Sequence, residues 1–246
     1  MDWASELSRL ADGYEPHMDL DSSSPTRATL LLVGPSGVGK DSIKRGLLLT
    51  HRYCEIISHT TRAPRYNSEV LERDGVEYHF VTHECMAHLA RDKKFVQFKR
   101  YGGNFYGTSA QELQRAWESG TALTDVDIQG AMEFGRIGLP DLLMVFLLPP
   151  DLPELLRRLE NRCARNPQGG RVAIFQRIAI ALREVEGVIS HADRFRLVVN
   201  DDLNTAVEEI DALAAGGAGR GMNAARRVLH ALASDIKAYL SNNSAS

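Results

Sequence analysis

A chain of 246 residues, 43% hydrophobic and 25% charged, carries enough apolar material for a sizeable core and has ordinary globular composition. A formal net charge of −3 and a pI near 6.2 exclude a global basic field of the kind that binds nucleic acid non-specifically, so any anion site must be local. Three cysteines, Cys54, Cys85 and Cys163, are an odd number without CxxC spacing, which points to reduced thiols in a cytoplasmic protein rather than a disulfide framework or zinc site.

The opening MDWASELSRLADGYEP has early acids and lacks the apolar stretch of a secretory signal. A short amphipathic helix is expected around Trp3 to Leu10, followed by a polar linker, DLDSSSPTR, so that residues 1–27 read as a peripheral extension. From Ala28, ATLLLV is a continuous apolar run closed by Gly-Pro, the sign of a strand buried on both faces; Asp41 to Leu49 then reads as a helix. The block from Tyr53 to Tyr106 changes character, with short β-like pieces (CEIIS, VEYHFV, KFVQF) among Arg, Tyr and turn residues, and reads as an inserted lobe. After it come a helix (Ser109 to Ser119), a strand (ALTDVD), a helix from Gln129, the strand LLMVFLL, a helix from Leu152 to Asn161, a Gly-rich break (CARNPQGGR), a helix from Val172 to Ser190 and the strand FRLVV. LLMVFLL, the longest apolar run, is far shorter than the roughly 20 residues of a membrane span. Strands alternating with helices predict an α/β fold with a mostly parallel sheet covered on both faces. One more helix, a flexible AAGGAGRG linker and a final amphipathic helix follow; Val228, Leu229, Leu232, Ile236 and Leu240 give that helix an apolar stripe expected to dock on the core.

The chemistry concentrates in Gly34-Pro35-Ser36-Gly37-Val38-Gly39-Lys40, a GxxxxGK pattern placed after a strand and before a helix. Its glycines let backbone N–H groups turn around a phosphate, the helix N-terminus adds its positive end, and Lys40 supplies a point charge to the β- and γ-phosphates. The position after the lysine, usually Ser or Thr, is Asp41, with Ser42 next. Asp41 binds magnesium directly or through water, or Ser42 substitutes, or Asp41 only favours the first helical turn; placement alone leaves all three open. Farther on, SHTTRAPR (Ser58 to Arg65) sets two arginines three apart on a Pro-bent segment, where both forks can face one anion. His51, His59, His79, His83 and His88 are scattered, without metal-ligand spacing, and read as structural or solvent-facing.

With DGVEYHFV, GNFYGTS, DVDIQG, LPPDLPELLRRLENR and VVNDD in this order, residues 28 to 212 resemble the guanylate kinase family. The resemblance implies a P-loop sheet with a small mixed-β nucleoside monophosphate lobe at about 53–108 and a short helical lid at about 162–177. It implies transfer of the ATP γ-phosphate to GMP or dGMP with magnesium, and nucleotides rather than nucleic acid or membrane as partners; oligomeric state stays open. By the same likeness, Arg62 and Arg65, with Tyr78 and Tyr106, would hold the acceptor phosphate. Ser58 and Thr108 would approach the guanine, with Glu72 nearby. Of Asp125 and Asp127, one would act on magnesium or its waters and the other on acceptor base or ribose. Arg158, Arg162 and Arg177 would close over the transferring group, and Asn200 and Asp201 would lie by the adenine. In the family's F-[IV]-E strand pattern the glutamate accepts from guanine N1–H and the amino group; here the residue is Gln97, which keeps one acceptor oxygen and loses the charge. Either guanine recognition falls by on the order of 1–3 kcal/mol or the exchange is tolerated, and the sequence leaves both open. GKDS also resembles the P-loop of ribose 1,5-bisphosphate phosphokinases, which make PRPP, and guanylate-kinase-like domains also serve as catalytically silent protein-binding modules. Both remain alternatives at this point, although the second generally lacks the lysine retained here as Lys40.

Overall fold

The computed structural model describes residues 2–16, 27–67, 70–165, 170–219 and 221–243. Much of the DLDSSSPTR linker and the middle of the CARNPQGGR break lie outside them. Hydrogen-bonded neighbours in a five-stranded sheet run in the order β11 (Arg196–Val199), β10 (Leu142–Leu148), β1 (Thr29–Val33), β9 (Thr121–Asp125), β2 (Tyr53–Glu55). The β10–β11 and β2–β9 pairs are parallel. The two continuous apolar runs became central strands: every residue of β1 is buried, as are Met144 to Leu148 of β10. The expected α/β architecture is therefore present, and no helix among the described residues is long and apolar enough to cross a membrane.

By contact density the chain forms two compact units. One holds residues 30–51, 125–131 and 142–246. In it, α2 (Lys40–Leu48) packs on α8 (Leu203–Ala214), and α6 (Leu152–Arg165) on α7 (Gly170–Ser190). α6 runs four residues past the expected end at Asn161 because nothing in Arg162 to Arg165 breaks a helix. α9 (Met222–Asn243) lies against α7 and β11, burying Ala225, Leu229, Leu232, Ala233 and Ile236, so the C-terminal stripe docks as its periodicity predicts.

The other unit holds residues 1–29, 52–124 and 132–141. Its four-stranded sheet has the order β6 (His79–Phe80), β3 (His59–Thr60), β8 (Asn104–Ser109), β7 (Phe95–Tyr101), and a two-stranded hairpin, β4 (Tyr66–Asn67) with β5 (Val70–Leu71), is attached to it in sequence. Residues 1–27 read as peripheral in the sequence, but the amphipathic helix is there as α1 (Trp3–Asp12) and completes this unit's core. Fully buried Leu7 joins Met86, Ala87 and Ala90 of α3 (His83–Arg91) and Phe95, Phe98 and Phe105 of the sheet. Arg91 pairs with Glu6 and lies 5.2 Å over the Trp3 ring. β7 is an edge strand, and Tyr14 covers its start: the hydroxyl donates to Phe95 O at 2.9 Å and accepts from Phe95 N at 3.0 Å. Tyr14→Phe leaves those two backbone groups without partners and lowers unfolding stability by about 1–3 kcal/mol. Leu7→Ala removes core packing and lowers it by about 2–5 kcal/mol. Urea titration of both variants measures the loss; unchanged midpoints would show that α1 and its tail add nothing to the folded unit.

Candidate active site

In the sheet-and-helix unit, the loop after β1 is shaped by glycines where no side chain fits. Gly34 has φ +146°, and a Cβ there would lie 2.7 Å from Leu147 O. Gly39 has φ +101°, and its Cβ would lie 2.4 Å from the Asn200 amide nitrogen. Gly39 is the N-cap of α2 and provides no capping side chain, so the first N–H groups of the helix open onto the loop. Lys40 folds back over the loop, donating to Gly34 O and Pro35 O. Asp41 and Ser42 are exposed in the first turn of α2.

Three side chains brace this loop from other elements. The buried Asn200, after β11, donates from Nδ2 to Val38 O at 2.7 Å. Arg158 of α6 donates to Val38 O at 3.3 Å and to Asn200 O at 2.9 Å. Arg177 of α7 donates to Ser36 Oγ at 3.2 Å. Arg158 is itself held by Glu154, whose Oε1 accepts from its Nε at 2.7 Å. Hydrogen bonds from Arg157 and Arg158 pull the Glu154 carboxyl down to about 2. Arg162 and Asp201 are exposed, and no hydrogen bond joins Arg162 to the loop. At the end of β9, Asp125 Oδ1 accepts from Lys44 at 2.7 Å. Burial opposes ionisation there, but Lys44 and then Lys40 outweigh it and hold the carboxyl below its ordinary range. Asp127 accepts from Gly130 N at 2.7 Å and thereby caps α5 (Ile128–Ile137).

In the mixed-sheet unit, Arg62 is 8% exposed and makes a two-pronged pair with Glu72, NH1 to Oε2 at 2.8 Å and NH2 to Oε1 at 3.0 Å. Its guanidinium lies 5.1 Å from the Tyr78 ring centroid, and Tyr78 meets Tyr106 edge-on at 6.0 Å. Arg65 is exposed; its backbone N–H donates to Glu72 Oε2 at 2.8 Å. Burial raises the Glu72 carboxyl, but Arg62 and the Arg65 amide overcome it and leave it below the ordinary value. Ser58 Oγ and Thr108 Oγ1 are 3.2 Å apart. Gln97 is buried in β7, and its Nε2 has no hydrogen-bond partner.

The structure thus brings Gly34 to Lys40 together with Asn200, Arg158 and Arg177, and Arg62 together with Glu72 and Tyr78. Several supporting residues escaped the sequence reading. Lys44 and Glu154 were findable, since each stands four residues from a named cation on the same helix face. Glu112, at 8% exposure, was not: it accepts from Ile57 N at 3.2 Å and binds Arg115 and, at 3.1 Å, His79 Nε2. Among the described residues, no group of three or more His, Cys, Asp or Glu side chains is arranged to hold a metal.

The guanylate kinase family model matches residues 26–215. The chain is 36% identical over 187 residues to the guanylate kinase of Schizosaccharomyces pombe, covering 75% of this chain and 88% of that one. It is 39% identical over 185 residues to the guanylate kinase of Syntrophotalea carbinolica, covering 74% and 82%. The crystal structure of guanylate kinase from Anaplasma phagocytophilum matches with a TM-score of 0.56 and 25% identity, covering 77% of this chain and 85% of that one. With a family model spanning most of its length and relatives above 30% identity covered over more than four fifths of their own length, the chain belongs to the guanylate kinase family.

Proposed function

We propose that the protein transfers the γ-phosphoryl group of ATP to GMP or dGMP. The observation that carries this reading is the Gly34–Lys40 loop, opened by glycines and braced by Arg158, Arg177 and Asn200. An oxygen of the acceptor phosphate attacks the γ-phosphorus, the bond to the β,γ-bridging oxygen breaks, and ADP leaves. Such a transfer needs positioning and neutralisation of spread negative charge rather than a covalent nucleophile.

On this reading the loop of Gly34, Pro35, Ser36, Gly37, Val38 and Gly39 wraps the β- and γ-phosphates with its free backbone N–H groups, Pro35 having none and only bending the chain, and Lys40 swings from the loop carbonyls onto them. Arg158 and Arg177 meet the transferring group, and Arg162, on the lid side at about 162–177, closes over it; residues 166–169 of that lid lie outside the described structure. Asn200 and Asp201 flank the adenine. The lobe at about 53–108 seats the acceptor: Arg62 and Arg65, with Tyr78 and Tyr106, take its phosphate, Glu72 fixes Arg62, and Ser58, Thr108 and Gln97 face the base. Asp127 acts toward the acceptor by way of the α5 turn that it caps. Magnesium carried with ATP fits hard oxygens near the loop; Asp41, Ser42 and Asp125 are the residues to meet it or its waters, although Lys44 already takes one oxygen of Asp125. The ion would draw charge from the β- and γ-oxygens. Nucleotide substrates and three free cysteines fit a cytoplasmic setting.

The relatives named guanylate kinase favour neither the sugar-bisphosphate nor the silent-module alternative. An ADP-release assay with GMP, dGMP and ribose 1,5-bisphosphate tests the choice. Turnover should follow GMP; preference for the sugar bisphosphate, or no turnover at all, would reject it. Lys40→Ala should lower kcat/KM for GMP by about 10²–10³-fold or more while circular dichroism stays native. Residual activity near wild type would remove the loop from the donor site. Asp41→Ser should keep magnesium-dependent turnover within about tenfold of wild type, since a hydroxyl is also a hard donor; complete loss would show that the carboxylate itself is required.

A further inference from the structure

Strand pairing sorts the mixed sheet into two faces. Gln97 stands opposite Thr108, Lys99 opposite Tyr106, and Thr60 opposite Tyr106 on the other side. Residues opposite one another on paired strands share a face. Gln97, Thr108, Tyr106 and Thr60 therefore line one face, and Ser58, two residues before Thr60, joins them through its contact with Thr108. The other face carries His59, Phe95, Phe98 and Phe105, with the phenylalanines packed into the core of α1 and α3.

The first face holds an anomaly. Gln97 is 7% exposed, yet its Nε2 is buried without a partner, while the neighbouring hydroxyls of Ser58 and Thr108 can each donate or accept. A buried donor left unpaired is unfavourable, and a bound acceptor removes the penalty. This amide is neutral and offers one donor group beside one acceptor oxygen.

We infer that Gln97 reads the O6/N1–H edge of a 6-oxopurine, so that the acceptor site takes IMP as well as GMP. The inference rests on the reading above, that this lobe seats a purine monophosphate. A 6-oxopurine sets a carbonyl acceptor next to an N–H donor, and the amide matches both: Nε2 donates to O6, and Oε1 accepts from N1–H. Guanine and hypoxanthine share that edge. They differ only in the 2-amino group, for which Gln97 then has no acceptor left. A carboxylate at this position would have two acceptors and no donor. It would demand adjacent N1–H and 2-amino donors, and would therefore select guanine. Sites built to bond a particular N–H reject the analogue lacking it by as much as about 10⁴-fold; a site that does not engage the group discriminates little.

The test is steady-state ADP release by the full chain with GMP, IMP and AMP, for wild type and Gln97→Glu. Wild-type kcat/KM for IMP should lie within about tenfold of that for GMP and above that for AMP, and Gln97→Glu should widen the GMP preference over IMP by about tenfold or more. A wild-type preference for GMP beyond about tenfold overturns the inference and leaves the kinase reading standing. Equal or better turnover of AMP overturns it also, as does a ratio unmoved in an active Gln97→Glu variant. If none of the three is phosphorylated, the acceptor reading falls together with it. Should the buried carboxylate prevent folding, the wild-type ratio alone decides.

Discussion

A backbone that is to bind phosphate, as we propose for the loop after β1, must expose its N–H groups on one side, and it can do so only where side chains are absent. That constraint fixes Gly34 and Gly39, and it reaches outward from them. The volume that a side chain at position 39 would need is occupied by the Asn200 amide, which uses that position to grip Val38 O. Arg158 then bonds both Val38 O and Asn200 O. The end of β11, the flank of α6 and the loop are therefore one hydrogen-bonded unit. Those bonds are made within the protein itself, and on the proposed reading they orient the loop dipoles toward the charge that develops.

The chain carries a slight negative charge, so its cations must be concentrated and held. Three of them have carboxylate partners, Glu154 for Arg158, Glu72 for Arg62 and Asp125 for Lys44, while Lys40 and Arg177 rest on oxygens of the loop itself. Drawing such pairs partly out of water costs desolvation that offsets much of their attraction, so they are weak evidence for stability. Their effect is positional, because a guanidinium already fixed in orientation gives up less freedom when a phosphate binds. Arg62 is the extreme case, buried, clasped from two directions and stacked near Tyr78. The charge of Glu72 depends on that clasp. It stays ionised below the ordinary carboxylate range, and the stability it contributes is present above its unfolded value and lost as pH falls through the depressed folded one.

What could be read from the sequence was whatever repeats locally. Apolar runs gave β1 and β10, the 3.6-residue stripe gave the docking of α9, and the glycine spacing gave the loop. What could not be read was pairing across long stretches of chain. Lys44 meets Asp125 from 81 positions away, and Tyr14 meets Phe95 across the same separation. No local pattern encodes such a meeting. The stripe from Trp3 to Leu10 announced an amphipathic helix but could not say that α3 and β7 were its partners. The arginine pair is a subtler case. Arg62 and Arg65 can face one anion by spacing, yet in the fold Glu72 lies with both, binding the side chain of one and the backbone of the other.

Gln97 draws these threads together. It sits beside a break in the β7–β8 register between Phe95 and Gln97, and such irregularities re-aim the side chains next to them. Phe95, at the same break, is bonded on both its N–H and its C=O by Tyr14. The direction in which the Gln97 amide points is thus tied to a tyrosine that follows the N-terminal helix, outside the stretch that carries the family motifs. α1 is then more than a cover for apolar surface. By packing against β7 it helps Tyr14 hold the strand that presents Gln97, and the recognition we infer for that amide requires a strand held firmly enough for one atom's identity to matter.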